Sequence, residues 1–161
     1  MKTPYSERIP ELPQSATLNS VAAGRAARPA ARPEVVSFSE DRHARGLRAL
    51  QDITGNRGAE VVDSLRDIAP DLADWIVDFS YGDVMTRPGL DRRSRQLATI
   101  AALTALGNAA PQLKVHIAGA LNVGCKPHEI VEVILQMTVF AGFPVAINAL
   151  NVAREVFNDQ R

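Results

Sequence analysis

The chain has 161 residues, a length that fits one domain with room for a tail. Its 18 basic and 18 acidic residues cancel, so it lacks the broad basic field by which proteins bind nucleic acids or anionic membranes. A single cysteine excludes an internal disulfide framework, a CxxC redox pair and a cysteine-rich zinc site. With no apolar run long enough for a membrane span and no secretory core in MKTPYSERIPELPQ, we expect a soluble, cytoplasmic protein.

The first 37 residues differ in composition from the rest. The stretch VAAGRAARPAARPEVV is rich in alanine, arginine and proline; the prolines interrupt helix, and too little of it is apolar to form a core. We predict a flexible or partner-bound arm over 1–37 and a helical domain over 38–161. Arg25, Arg28 and Arg32 are a weak footprint for nucleic acid, so a nucleic-acid-binding arm is only the alternative interpretation.

Helical periodicity begins near Ser39, and no alternating strand pattern fits the chain beyond it. SFSEDRHARGLRALQDITG predicts a helix capped near Ser39 and ended by Gly55. In AEVVDSLRDIA, which ends before Pro70, the residues predicted to share one apolar face are Val61, Val62, Leu65 and Ile68. In PDLADWIVDFSYGDVM, the aligned residues are Leu72, Trp75, Ile76 and Phe79.

Three glycine–proline pairs punctuate the C-terminal half: Gly107 with Pro111, Gly124 with Pro127, and Gly142 with Pro144. Glycine just past one helix and proline in the first turn of the next is the asymmetry expected of consecutive helices. The pattern predicts four helices, roughly 91–106 with Asp91 as N-cap, 111–123, 127–141 and 144–157. The fold class is therefore all-α.

The segment LATIAALTAL, residues 97–106, is apolar on nearly every side. Such a helix must be buried on every side, and a domain of this size has few positions that deep. We therefore expect contacts with other copies of the chain to cover part of it, which predicts a homo-oligomer.

His116 shares a predicted helix face with Leu113, Ile117 and Ala120, so its ring points towards the core or into a pocket. One interpretation is a buried histidine that donates to a backbone carbonyl. The other is a neutral imidazole in a dry pocket that gives or takes a proton. Metal ligation has little support, because neither His43 nor His128 stands at a ligand spacing from His116.

Cys125 follows the helix-ending Gly124 and precedes the next helix. The partial positive charge of a helix N-terminus would lower the thiol pKa and favour a reactive thiolate, with His128 as a candidate base. The alternative is that Cys125 is a small buried apolar residue.

Arg92, Arg93, Arg95 and Gln96 fall in the first turns of the 91–106 helix. Arginine near a helix N-terminus opposes the helix dipole, which indicates an anionic partner nearby: an acidic residue, a neighbouring subunit or a carboxylate substrate. The alternative is a solvated face. Gln96 and Thr99 share a side that suits polar groups lining a pocket.

Three segments resemble the carboxymuconolactone decarboxylase family, within the alkylhydroperoxidase-D-like superfamily. They are PGLDRRSRQLATIAALTALG, LKVHIAGALNVGC and EIVEVILQMTVFAGFPVAINALNVAREVF, and the resemblance extends over roughly 46–157. It implies a bundle of antiparallel helices assembled as a trimer or hexamer. This agrees with the oligomer expected from segment 97–106, which is apolar on nearly every side.

The resemblance implies two candidate chemistries. In the peroxidase branch, a CxxC pair precedes the matched histidine, and a glutamate completes a proton relay. Here the cysteine positions fall on Ala109 and Gln112, and the glutamate position on Gln96, so a dithiol mechanism is excluded. A single-cysteine peroxidase or redox protein using Cys125 and a non-catalytic ligand-binding protein are the alternatives to a decarboxylase.

In the decarboxylase branch, the unsaturated lactone itself accepts the electron pair left by CO2, so no cofactor or metal is implied. The resemblance thus implies a carboxy-lyase that acts on a small carboxylated lactone in aromatic-compound breakdown. The catalytic candidates are His116, Gln96 and Asp83, with Asp83 as a partner of the imidazole. The substrate-binding candidates are Arg95, Thr99 and Cys125. Met85 stands where close decarboxylase relatives commonly carry tryptophan.

Overall fold

The computed structural model describes residues 41–159, and these residues form helices joined by short turns, without strands. The predicted 1–37 arm lies outside the described residues. The α-helices are α1 (Arg42–Thr54), α2 (Asn56–Asp63), α3 (Pro70–Trp75), α4 (Arg92–Leu106), α5 (Ala110–Asn122), α6 (Pro127–Ala141) and α7 (Phe143–Asp159). A π-helix, Ile76–Met85, continues directly from α3. None of the helices between residues 41 and 159 is both long and apolar enough to cross a membrane.

The helix ends follow the capping residues in the sequence. Asp41 caps α1 by accepting a hydrogen bond from the His43 amide at 3.0 Å, and Gly55 ends that helix. Asp91 caps α4 by accepting from the Ser94 amide at 3.0 Å. The four predicted C-terminal helices are confirmed within one or two residues as α4 to α7. The expected cap at Ser39 lies outside the described residues.

The predicted apolar face of α3 and the π-helix is wrong. Trp75 and Phe79 are 65% and 58% exposed, whereas the residues that face the core are Ala73, Val77 and Tyr81. The hydrogen bonding of a π-helix reaches five residues ahead, so each turn holds more than four residues instead of about 3.6, and alignment at α-helical spacing fails. Ile76 is the one predicted face residue of the π-helix that turns inward, towards a cavity.

The predicted apolar face of the preceding segment is also only partly correct. The helix α2 ends at Asp63, earlier than expected, so Leu65 and Ile68 lie in the turns that lead to Pro70. Val62 is buried, but Val61 and Ile68 are exposed.

Two apolar clusters form the core. The first joins α1, α2, α3 and the π-helix and contains Leu50, Ile53, Val62, Val77 and Tyr81, among others. The second joins α4 to α7, with Ile100, Ile117, Ile130 and Ile134 fully buried at its centre. α1 also packs against α5, which connects the two clusters.

The contact between α1 and the π-helix depends on Gly46. A Cβ at this position would lie 2.1 Å from the backbone oxygen of Val77, so only glycine lets the two helices approach this closely.

We expect Gly46→Ala to lower the free energy of unfolding by about 1–3 kcal/mol, because the added methyl group forces the helices apart. Urea denaturation measures this. Gly89→Ala is the control, since a Cβ there meets nothing within 4 Å. Alanine is the better helix former, so a Gly46→Ala protein as stable as the wild type would contradict the proposed role of the contact.

Candidate active site

A cavity of about 330 Å³ lies beside His116, at the lower end of the range for small-molecule sites. Its walls come from α1, α2, the π-helix, the first half of α4 and the start of α5. Most of the lining is apolar. The lining residues are Leu50, Gly58, Val61, Val62, Ile76, Ser80, Tyr81, Met85, Thr99, Pro111, Gln112, Val115 and His116.

The imidazole of His116 is fixed by Gln96. Its Nδ1 lies 2.9 Å from Oε1 of Gln96, which reaches across from α4 to α5. A carbonyl oxygen only accepts, so Nδ1 carries the proton and donates it, which leaves Nε2 as the ring nitrogen with a free lone pair. Burial lowers the pKa of His116 from 6.5 to about 4, so the ring is neutral near pH 7.

Gln96 itself is fully buried, between α4, α5 and α1. Its Oε1 would lie 3.5 Å from a Cβ at position 119, so Gly119 leaves the space in which the amide sits. Its Nε2 has no hydrogen-bond partner among the described residues. An unpaired buried amide group costs about 1–3 kcal/mol, so the hydrogen bond to the imidazole is the polar contact that Gln96 makes within the described residues.

Of the two residues predicted to line a pocket, Thr99 lines this cavity, whereas Gln96 is buried behind it and is not a lining residue. The Thr99 hydroxyl donates to the Arg95 carbonyl at 2.9 Å. Tyr81 is a lining residue that the sequence analysis missed. Burial raises its pKa to about 12, so its hydroxyl stays protonated. Ser80 and Gln112 add a hydroxyl and an amide to the walls.

Asp83 and Arg95 do not meet the imidazole. Asp83 forms ion pairs with Arg42 and with Arg45, the latter at 3.2 Å, and the partner predicted for it, His116, is held by Gln96 instead. The physical reason is the turn of the π-helix, which presents Asp83 to α1. Arg95 donates to backbone carbonyls of the turn before α4, at 3.1 Å and 3.0 Å, so it braces that turn and does not line the cavity.

Cys125 lies apart from the cavity lining. Its side chain is 3% exposed within the C-terminal core cluster, and its Sγ lies 3.8 Å from the Arg93 carbonyl. Of the two interpretations of Cys125, the structure agrees with the small buried apolar residue: burial raises the pKa of the thiol, although the nearby Arg93 charge partly opposes this. Desolvation outweighs the positive end of α6 because the thiolate is the form that loses hydration.

The other arginines at the start of α4 find acidic partners. Arg93 binds both carboxylate oxygens of Glu129 at 2.7 Å, and Arg92 lies 3.2 Å from Asp52. The sequence indicated an anionic partner for these arginines, and for Arg92 and Arg93 the partners are acidic residues of the same chain.

The residues that the sequence analysis missed belong mainly to the π-helix. Ser80, Tyr81 and Met85 line the cavity together with Ile76, and no pattern in the sequence marked this stretch as π-helical. Gln112 was considered only as the position of an absent cysteine.

Comparison with known proteins identifies the family. The model of the carboxymuconolactone decarboxylase family matches residues 70–155. A 4-carboxymuconolactone decarboxylase from Acinetobacter baylyi is 36% identical over 121 residues, which cover 74% of this chain and 90% of the relative. The chain belongs to the carboxymuconolactone decarboxylase family.

Two further relatives match over similar lengths. A nitrosuccinic acid decarboxylase from Metarhizium robertsii is 33% identical, covering 71% of this chain and 80% of the relative. An uncharacterized 15.0 kDa protein from Paracoccus denitrificans is 34% identical, covering 60% and 73%. Two of these three relatives are named as decarboxylases, which supports an enzyme of the carboxy-lyase class.

In this carboxymuconolactone decarboxylase family member, we expect Gln96→Glu to raise the pKa of His116 from about 4 towards or above 6.5. A carboxylate beside Nδ1 favours the charged ring, whereas the neutral amide does not. Titration of the histidine ring signals by NMR measures the change. His128, which is exposed, is the internal control. An unchanged His116 titration in the variant would contradict the assigned contact.

Proposed function

We propose that the protein is a cofactor-independent decarboxylase of a small carboxylated lactone, and that His116 handles the proton. The observation that carries the proposal is the placement of a neutral, Gln96-oriented imidazole at the wall of a mostly apolar cavity. The family and the decarboxylase names of two relatives support the reaction class.

The cavity suits loss of CO2 because it surrounds the substrate with apolar side chains. A carboxylate that leaves water for such a site loses hydration, whereas the departing CO2 is neutral and the remaining charge is spread over the lactone. The electron pair of the broken carbon–carbon bond moves into the unsaturated lactone carbonyl. Gln112 supplies an amide N–H to the cavity, and this group donates to the developing oxyanion.

The pKa of His116 determines when the ring takes up a proton and when it releases one. In the empty cavity burial keeps the ring neutral, and the arriving carboxylate raises the pKa of His116 by supplying the opposite charge. Nε2 then takes a proton from solvent as the substrate binds. After CO2 has left, Nε2 delivers this proton to carbon and the ring returns to its neutral form. One carboxylate and one proton are thus converted to CO2 and a C–H bond.

Gln96 acts in this scheme as a positioning residue. By accepting from Nδ1–H, its Oε1 holds the ring plane and keeps Nε2 available in both protonation states. Arg95, Asp83 and Cys125 take no direct part, since none of them lines the cavity. We also propose that the enzyme acts in the cytoplasm, in breakdown of aromatic compounds.

We expect His116→Ala to reduce CO2 release from 4-carboxymuconolactone by about 10²- to 10⁴-fold, because the variant lacks the group that protonates carbon. Spectrophotometric loss of the lactone together with trapped CO2 measures the rate.

Cys125→Ser is the matched control and should retain the wild-type rate, because the thiol lies outside the cavity. If His116→Ala kept full activity, or if peroxide reduction depended on Cys125 while no CO2 was released, the proposal would be overturned in favour of a redox protein. Ligand binding without turnover by the wild type would favour a non-catalytic binding protein.

We further propose that the enzyme assembles as a trimer or hexamer through the apolar surface that α4, α6 and α7 leave exposed. The residues of this surface include Ala98, Ala102, Leu106, Val139, Phe140, Phe143 and Ile147. Large apolar side chains exposed on neighbouring helices are typical of subunit interfaces.

Light scattering after size exclusion should give a mass of three or six chains for the wild type. Phe140→Glu should give smaller species, because a buried charge opposes association. The control Asn158→Glu adds the same charge at an exposed position near the end of α7 and should leave the mass unchanged. A monomeric wild type would contradict the proposal.

A further inference from the structure

The π-helix gives the cavity one complete wall. Ile76, Ser80, Tyr81 and Met85 all belong to this segment and all line the cavity. In an α-helix, residues nine positions apart, such as Ile76 and Met85, lie about half a turn from each other. In a π-helix, nine residues make about two turns, so Ile76 and Met85 lie on the same side of the helix. Ser80 and Tyr81, one turn from each, face the same cavity.

The four side chains of this wall differ in what they offer a ligand. Ile76 is apolar, and the phenol of Tyr81 interacts with the Thr54 side chain. The Ser80 hydroxyl forms no hydrogen bond within residues 41–159, in contrast to the Thr99 hydroxyl, which donates to a backbone carbonyl. Met85 is partly buried at the end of the wall, where its unbranched thioether adapts to the space available.

We propose that the π-helical wall selects the substrate: Ser80 holds a polar group of the bound molecule, and Met85 limits the size of its apolar body. The inference rests on the proposed function in taking a small carboxylic acid as the ligand. The ligand class it assigns is a carboxylic acid with a compact, single-ring body.

His116 and Ser80 reach the cavity from α5 and from the π-helix, two separate elements of its lining. A ligand whose carboxylate or carbonyl contacts both groups is held in one orientation, with its apolar body left to contact Ile76, Val62 and Met85. Orientation of this kind is what a decarboxylase needs, because the bond to CO2 breaks only when it is aligned with the electron-accepting system. Ser80 is therefore a positioning residue, and Met85 determines specificity.

Binding of two unreactive acids, benzoate and 2-naphthoate, tests the proposal by isothermal titration calorimetry. They share a carboxylate and differ by one fused ring. We expect the wild type to bind benzoate more tightly, and Met85→Ala to shift the ratio of the two dissociation constants about tenfold towards 2-naphthoate. Met137→Ala is the matched control, since Met137 is buried on α6 outside the cavity, and it should leave the ratio unchanged.

For Ser80, we expect Ser80→Ala to weaken binding of both acids about three- to tenfold, the loss expected for one hydrogen bond. Ser64→Ala is the control, because the Ser64 hydroxyl donates to the Val61 carbonyl on the exposed surface. Equal dissociation constants for Ser80→Ala and wild type, an unchanged ratio in Met85→Ala, or no saturable binding of either acid to the wild type would overturn the inference.

These measurements separate the inference from the proposed function, because neither acid reacts. Size selection by Met85 with no CO2 release from any lactone would overturn the function and leave the inference standing. If CO2 release depended on His116 but neither Ser80→Ala nor Met85→Ala changed it or ligand binding, the inference would be overturned and the proposed function would stand.

Discussion

The hydrogen bond between His116 and Gln96 is the constraint on which the site depends, because it fixes which ring nitrogen carries the proton. It joins α4 to α5, and its geometry requires Gln96 to be buried where Gly119 leaves space. Burial favours the neutral ring of His116, but neutrality alone leaves two tautomers. The buried amide oxygen selects the one with a free Nε2, so the chemical use of the imidazole follows from the packing of two helices.

The shape of the cavity depends on a different feature, the change from α3 to the π-helix. This change turns Trp75 and Phe79 outward and brings Ile76, Ser80 and Met85 to the cavity. The wider helix still packs closely on α1, since Gly46 presents no side chain to the Val77 carbonyl. In the proposed mechanism the proton-transferring residues belong to α4 and α5, whereas one wall of the cavity belongs to the π-helix. We therefore expect substitutions in the π-helix to alter ligand selection without disturbing His116.

The sequence predicts the C-terminal helices well and the π-helix not at all, and the reason is the kind of signal each carries. Glycine and proline act locally, so the ends of α4 to α7 follow from the residues themselves. The π-helix packs on α1, and the local spacing of its apolar residues does not indicate its winding. That Gln96 and His116 lie close together could be predicted, because the sequence places each of them on the inward face of its helix. The true partners of Asp83 were not, because they lie some forty residues earlier in the chain.

The unpaired Nε2 of Gln96 shows how stability and function are balanced at this site. An apolar residue at position 96 would remove a buried unsatisfied group, but it would leave the Nδ1–H of His116 without an acceptor. A glutamate would hold the ring and draw it towards the charged form before any substrate had arrived. Glutamine accepts the Nδ1 proton without adding charge, so protonation of His116 is left to the ligand. Under the proposed mechanism, the amide therefore couples binding of the substrate carboxylate to uptake of the proton that decarboxylation consumes.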